Sequence, residues 1–261
     1  ANGCYDTGQQ YAVNGEPTGA PVYDANAVPA RVWVATKGGW VYALDASNIA
    51  SLLVSVGLAA YFKNGGVLDE QRNFVVGSDT PTPGLYAFDG TGQVWSYTTI
   101  GATTSDIVSD VASRSFYVGA NDGKVYAFNA STRDLRWSAI LSPTPSGVFQ
   151  PAVGGGLVVA SLSTGVFAFD VADGTPRWSN IVDVGGFFQQ GPVMAVTPSV
   201  AIFTGNATGK VSRLSAQGQL LWQFTVQDPS SQSQGALGQR RFYFPAGQTM
   251  YAIDTGGAEP L

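Results

Sequence analysis

A four-residue phrase returns six times along this 261-residue chain: Tyr42-Ala43-Leu44-Asp45, Tyr86-Ala87-Phe88-Asp89, Tyr126-Ala127-Phe128-Asn129, Phe167-Ala168-Phe169-Asp170, Ser212-Arg213-Leu214-Ser215 and Tyr251-Ala252-Ile253-Asp254. Successive first residues are 44, 40, 41, 45 and 39 positions apart. A period in this range marks propellers and repeat arrays, because one unit cannot bury its apolar face until neighbours stack on it. Six such units fill nearly the whole chain, so the expected organisation is one all-β domain over residues 1–261.

Around each phrase, apolar and polar residues alternate with period two between clusters of Gly, Asn, Asp and Pro, the signature of strands joined by tight turns. Phe116 to Gly119, then Ala120-Asn121-Asp122-Gly123, then Lys124 to Asn129 reads as a hairpin, with turn residues that tolerate positive φ. The same layout recurs at 32–45, 74–89, 157–170, 201–215 and 242–254. A strand marked by Trp95, Trp137, Trp178 or Trp222 follows in four of the units. A large flat side chain at one fixed place per unit fills the wedge between twisted stacked sheets. A short apolar strand with small residues precedes the hairpin, as in Pro151 to Gly154 and Pro192 to Ala195. Four strands per unit predict a six-bladed β-propeller of four-stranded antiparallel blades. The last unit stops short of its outer strand, and Thr7-Gly8-Gln9-Gln10-Tyr11-Ala12-Val13 resembles Thr91-Gly92-Gln93-Val94-Trp95-Ser96-Tyr97. Residues near 8–13 are therefore expected to complete the last blade, closing the ring and covering a sheet edge.

These residues carry a family resemblance. Ala168-x-Asp170-x-x-Asp173-Gly174-x-x-x-Trp178 resembles the Ala-x-Asp-x-x-Thr-Gly-x-x-x-Trp motif of the pyrroloquinoline-quinone-like (PQQ-like) β-propeller repeat, found in quinoprotein dehydrogenases and in BamB-like outer-membrane assembly lipoproteins. The stretch from Ala127 to Trp137 keeps the motif's length with Asn129 for Asp, and Ala87 to Trp95 is shortened by two. The first unit has no Trp, and the fifth keeps only Gln217-Gly218 to Trp222. The resemblance implies the fold; for chemistry it leaves two branches open. The alcohol dehydrogenases of this family have a longer, eight-bladed ring and a pair of adjacent cysteines, whereas this chain has one Cys. The BamB-like branch keeps the repeat without cofactor, and it implies a binding or scaffold role.

Composition narrows the chemistry further. The chain has no His, which removes the commonest general base and metal ligand, and with it Ser-His-Asp and Cys-His catalysis. One Cys and no His leave no zinc site of those ligands. Gly154-Gly155-Gly156 precedes a strand and reads as a turn, not as a phosphate loop. The net charge of −5, with 13 scattered Lys and Arg, argues against nucleic acid as partner. Charged residues are 12% of the chain, against about 25% in typical soluble domains, which suits a secreted, periplasmic or surface-attached β protein. No apolar stretch reaches the length of a membrane-spanning helix. Cys4 reads either as a small residue in a terminal strand or as a lipid-modified or intermolecularly paired cysteine.

Propellers bind at the mouth of the central tunnel, where loops converge. Polar residues expected to head the inner strands are Asp24, Asn26, Asp69, Asp106, Gln150, Gln190 and Gln234, with Lys37 in the first middle-hairpin turn as a nearby cation. A ring of amides and carboxylates suits a polyhydroxy or peptide ligand; the alternative is that these groups satisfy one another and water. Phe187 and Phe188 are a rim anchor for a partner or part of the core. Asp79 to Gly84 is the longest hairpin insertion, a stiff recognition loop or a tolerated one. The reading is a non-catalytic extracytoplasmic binding or scaffold module for a protein segment or glycan, without cofactor, Ca²⁺ and PQQ being disfavoured. The competing reading is a propeller enzyme that acts on a carbohydrate with Asp24, Asp69 or Asp106 as base, or a quinone-dependent dehydrogenase.

Overall fold

The structure, a computed structural model, describes residues 8–98, 101–103, 105–180, 191–195, 200–206, 208–227, 235–238 and 240–255. These residues form strands and turns and no helix. The chain divides into two compact units, residues 1–109 and 110–261.

The first unit holds two four-stranded antiparallel meanders. Sheet 1 is β1 (Pro17–Asp24), β2 (Arg31–Thr36), β3 (Trp40–Asp45) and β4 (Asn48–Gly57). Sheet 2 is β5 (Val67–Leu68), β6 (Phe74–Ser78), β7 (Gly84–Phe88) and β8 (Gln93–Tyr97). β9 (Val108–Asp110) leads from this unit into the second, where it pairs with β10 (Ser115–Gly119), β11 (Lys124–Asn129) and β12 (Leu135–Ile140) as sheet 3. Sheet 4 is β13 (Ala152–Gly154), β14 (Leu157–Leu162), β15 (Gly165–Asp170) and β16 (Pro176–Asn180). Sheet 5 is β17 (Val193–Ala195), β18 (Ala201–Gly205), β19 (Lys210–Ser215) and β20 (Leu220–Thr225). Sheet 6 has three strands among the described residues, β21 (Ala236–Gly238), β22 (Arg241–Ala246) and β23 (Thr249–Asp254). Within each unit, the first strands of successive sheets lie side by side, β1 on β5, β13 on β17 and β17 on β21, which makes them the inner strands.

Register explains the repeated phrase one residue at a time. The leading Tyr ties down neighbouring chain through its hydroxyl: that of Tyr42 accepts the Asn14 amide at 2.8 Å, and that of Tyr86 donates to the Thr82 carbonyl at 3.1 Å. Ala87, Ala127 and Ala168 sit directly across from Trp95, Trp137 and Trp178, so a small side chain leaves room for a bulky one on the same face. The following Phe88, Phe128 or Phe169 is buried, at a β-bulge that recurs at this place. The closing Asp or Asn caps the next turn: Asp170 accepts the Ala172 amide at 2.8 Å, and Asn129 accepts those of Ser131 at 2.8 Å and Thr132 at 3.1 Å.

Sheets pack face to face through these residues. In the first unit Trp33 of sheet 1 stacks on Phe74 of sheet 2, with ring centroids 5.5 Å apart, in a core with Phe62, Tyr86 and Phe88. In the second, Tyr117, Trp137, Val158 and Phe169 join sheets 3 and 4, Val159, Ile202 and Leu214 join sheets 4 and 5, and Phe203, Phe242 and Phe244 join sheets 5 and 6. The outer-strand Trp is the wedge that the sequence anticipates. A Cβ on Gly174 would lie 2.6 Å from the Trp137 ring, and one on Gly218 2.5 Å from the Trp178 ring, so only glycine admits the indoles. Both glycines also have positive φ, +74° and +77°.

Residues 8–13 carry no strand of their own, and they reach sheet 1 at two points: the Ile49 amide donates to Gln9 Oε1 at 3.2 Å, and the rings of Tyr11 and Tyr42 lie 6.0 Å apart. Gly and Gln around Tyr11 give little alternation to hold a strand.

Candidate functional site

The residues expected to head the inner strands fall into two groups. Asp24 is the last residue of β1, Asn26 lies in the turn after it, and Asp69 follows β5, so all three sit where the inner strand turns into the second strand. This corrects their placement at strand heads. The cause is local: β1 is rich in Gly and Pro, and β5 has only two residues, so neither shows the alternation that would have revealed its direction. Asp106 and Gln150 do head their inner strands, β9 and β13. Gln190, Gln234, Phe187, Phe188 and Cys4 lie outside the described residues.

The carboxylates are engaged within the fold. Asp24, 2% exposed, accepts the Asn26 amide at 3.2 Å and the Ala27 amide at 3.1 Å, and forms an ion pair with Arg72, whose Nε donates at 2.7 Å. Asp69, also buried, accepts the Asn73 amide at 2.8 Å and its side-chain NH2 at 3.0 Å. Asp106 accepts the Gly65 amide at 2.6 Å, pinning the residues ahead of β5. From Gly65 to Asp69 the chain runs four residues through β5, about 13 Å if extended, which sets Asp106 apart from Asp69. Lys37 is in the β2–β3 turn and bonds Glu16 at 2.7 Å; that hydrogen bond holds its ammonium above the ordinary lysine range. Gln150 has no side-chain partner among the described residues, and its carbonyl would lie 2.0 Å from a Cβ on Gly191, so the heads of β13 and β17 touch through backbone. The insertion at 79–83 is tied down: Thr82 donates to the Ala59 carbonyl at 2.6 Å, Ser78 to the Thr82 carbonyl at 2.6 Å, and Asp79 pairs with Lys63.

The second unit holds two adjoining clefts that the sequence did not single out. One, of about 390 Å³, lies between sheets 4 and 5 and is lined by Gly155, Leu157, Arg177, Trp178, Ala216 and Gln217. The other, of about 290 Å³, lies between sheets 3 and 4, against Asp110, Ser113, Val153 and Val171, and Gly155 lines both. Both open at the end where inner strands turn into second strands and third into fourth. The Gly154-Gly155-Gly156 turn forms the shared wall, Gly155 and Gly156 with φ of +57° and +80°, and its lack of side chains leaves the space open. That glycine triplet was the available signal. Arg177, the charged group of the larger cleft, is paired with Asp170. What remains on the walls is backbone, apolar surface and the Gln217 amide. Among the described residues no group of three or more acidic or cysteine side chains could hold a metal ion.

Comparison with known proteins bears on this arrangement. A solved structure of BamB from Moraxella catarrhalis superposes with a TM-score of 0.54 at 18% identity, over 91% of this chain and 82% of that one. The computationally designed Ika8 protein gives 0.68 at 17% identity, over 91% and 70%. The dihydro-heme d1 dehydrogenase NirN, solved in complex with DHE, gives 0.72 at 13%, over 92% and 54%. At such identities these likenesses establish the fold alone, an all-β propeller. A sequence relative, outer membrane protein assembly factor BamB of Yersinia pestis, is 29% identical over 109 residues, which is 41% of this chain and 27% of the relative. The aligned stretch thus spans about a quarter of that relative's length. The family model described as outer membrane protein assembly factor BamB matches residues 7–183 and 84–258. With nearly all of its length matched in this way, the chain belongs to the BamB family of PQQ-like propeller repeats.

Proposed function

We propose that this chain is a non-catalytic binding or scaffold module that works outside the cytoplasm, recognising an extended protein segment or a glycan. The observation that carries the reading is the fate of Asp24, Asp69 and Asp106, the acids that the competing reading uses as base. Each is held by turn amides, Asn73 or Arg72. A general base must instead reach the proton it abstracts. The relative from Yersinia pestis is by name an assembly factor for outer membrane proteins, which supports a protein ligand and an extracytoplasmic setting. Cys4 is the candidate for lipid attachment. The larger cleft, with its apolar wall and the Gln217 amide at its rim, is the proposed contact surface, and Gln150 a second one at the strand heads.

The test is a binding screen of the purified chain against immobilised twelve-residue peptides drawn from outer-membrane β-barrel strands, run beside a glycan array. Binding to either panel is expected, and Gln217→Trp, which fills the larger cleft from an exposed position, should weaken it about tenfold without lowering the Tm. No binding to either panel, or binding that neither Gln217→Trp nor Gln150→Ala alters, would overturn the proposal.

A further inference from the structure

In five of the six repeats the second residue of the phrase is alanine: Ala43, Ala87, Ala127, Ala168 and Ala252. The fifth repeat has Arg213 there, with Phe203 of β18 on one side and Trp222 of β20 on the other. Alanine is there to make room for the Trp and to let the next sheet approach. An arginine at the same place puts a charge into an aromatic crevice between sheets 5 and 6, where lost hydration must be repaid by a partner. Local rules of this kind are broken where function demands it.

No partner repays it among the described residues. Arg213 Nε is buried and makes no hydrogen bond, and the guanidinium takes part in no ion pair. Its one directional contact is with the Phe203 ring, 6.0 Å from Cζ. Arg72 is served by Asp24, Arg177 by Asp170, and Arg136 by the Ser113 carbonyl at 3.0 Å. Arg31 and Arg133 share with Arg213 a buried Nε without a hydrogen bond, but their repeats keep alanine, not arginine, at the second phrase position. The crevice also presents Trp222, whose ring lies 6.1 Å from Phe203, and Phe224, which is 40% exposed and lies 5.8 Å from Tyr251.

We propose that Arg213 is the anchor for an Asp or Glu side chain on a partner protein, its carboxylate bound by the guanidinium while neighbouring apolar residues of the partner rest on Trp222 and Phe224. The planar guanidinium matches a carboxylate in a paired hydrogen-bond geometry, and the aromatic walls exclude competing water. One guanidinium suits one carboxylate, whereas nucleic acid or a polyphosphate calls for a cluster of cations. The inference rests on the protein-binding reading above and adds the chemistry of a second contact, separate from the cleft between sheets 4 and 5.

The experiment titrates the full chain, by fluorescence anisotropy, with two labelled twelve-residue peptides of alternating Phe and Glu or Phe and Gln. The Glu peptide should bind about tenfold more tightly, an advantage that shrinks with salt. Arg213→Ala should abolish that preference while leaving the Tm equal or higher, because it restores the residue the other repeats carry. Arg213→Lys should keep part of it, since the charge remains without the fork. Equal affinity for both peptides in the parent chain overturns the proposal, as does a preference that survives Arg213→Ala. A fall in Tm for Arg213→Ala with no change in preference would make the residue structural. If both peptides bind equally and Gln217→Trp removes that binding, this inference fails while the protein-binding reading stands; if neither binds, both fail.

Discussion

The Trp178 indole Nε1 donates a 2.8 Å hydrogen bond to the Ala216 carbonyl, joining the outer strand of sheet 4 to the turn that follows the third strand of sheet 5. Trp137 makes the same link one sheet earlier, to the Val171 carbonyl at 3.2 Å. On the same strand as Trp178, the Asn180 side chain donates to the Gly218 carbonyl at 2.8 Å. Here the repeat is a stacking device: Trp137 and Trp178 each belong to one sheet and are completed by the glycine turn of the next.

Removing the device should cost most where the ring is most enclosed. Trp137 is 7% exposed, so Trp137→Ala is expected to cost about 3–5 kcal/mol, and Trp178→Phe, which keeps a ring but loses the indole bond, about 1 kcal/mol. For a chain of this size the second change should lower the Tm by about 2–4 °C. Chemical denaturation and differential scanning calorimetry read both. A smaller loss for Trp137→Ala than for Trp178→Phe would show that the rings do not carry the stacking.

Acid should weaken the chain through its turn caps. The Ser47 hydroxyl, then its amide, hold the Asp45 carboxyl below the usual carboxylate range, and the Ala172 amide, then Arg177, do the same for Asp170. For Asp89 partial burial pushes the other way, but the Thr91 hydroxyl and amide, the Gly92 amide and Arg31 together outweigh it. Each folded pKa therefore lies below its unfolded value. The stabilisation is complete above the unfolded value, about 4, and is lost as the pH falls through the folded one. The Tm should be level from about pH 7 to pH 5 and fall below about pH 4. Asn129 caps its turn with no charge, so the triple variant Asp45→Asn, Asp89→Asn, Asp170→Asn should have a shallower acid limb in calorimetry. An unchanged limb would place the acid sensitivity elsewhere.

The Asp24–Arg72 pair ties the inner end of sheet 1 to the turn after β5. Asp24 is nearly enclosed while Arg72 is 39% exposed, so the guanidinium can recover water if its partner is lost and the aspartate cannot. Asp24→Ala should then cost about 2 kcal/mol, chiefly through turn amides left unbonded. Arg72→Ala should cost at least as much, because it strands a buried carboxylate. Arg72 also holds a positive φ of 66°, so Arg72→Gly, which relieves the backbone while removing the charge, should be the milder of the two arginine changes. Calorimetric Tm values for the three variants settle the order.

Much of the fold was legible because each phrase residue has one job that chemistry restricts: Ala127 faces Trp137, Asp170 caps a turn, and Gly218 receives a ring. Direction was harder to read where strands are short. Asp69 follows a strand of two residues, too few to show by alternation at which end of it the residue sits. The clefts beside Gly155 left only the glycine triplet as a sign, because an opening is defined by side chains that are missing. Arg213 stood in plain view as the residue that spoils the fifth phrase, yet its isolation appears only once Phe203 and Trp222 are seen around it.

The N-terminal segment offers a test that is independent of these sites. Residues 9–14 are fastened to sheet 1 at several points: Gln9 accepts the Ile49 amide at 3.2 Å, and Tyr11 lies against Tyr42. The Asn14 amide donates to the Tyr42 hydroxyl at 2.8 Å, and the Asn14 carbonyl accepts the Thr36 hydroxyl at 2.8 Å. Deleting residues 1–14 would expose the Tyr42 ring and leave the Thr36 hydroxyl, which is buried, without that acceptor. The three lost hydrogen bonds, one of them exposed, and the lost ring contact should together cost about 2–4 kcal/mol. The melting transition should fall accordingly, by about 4–16 °C. Tyr11→Ala alone should reproduce a minor part of the loss, and Asn14→Ala, which keeps both backbone bonds, almost none. A deletion variant that melts with the parent chain would show that the segment is a passenger on sheet 1 and takes no part in holding the fold.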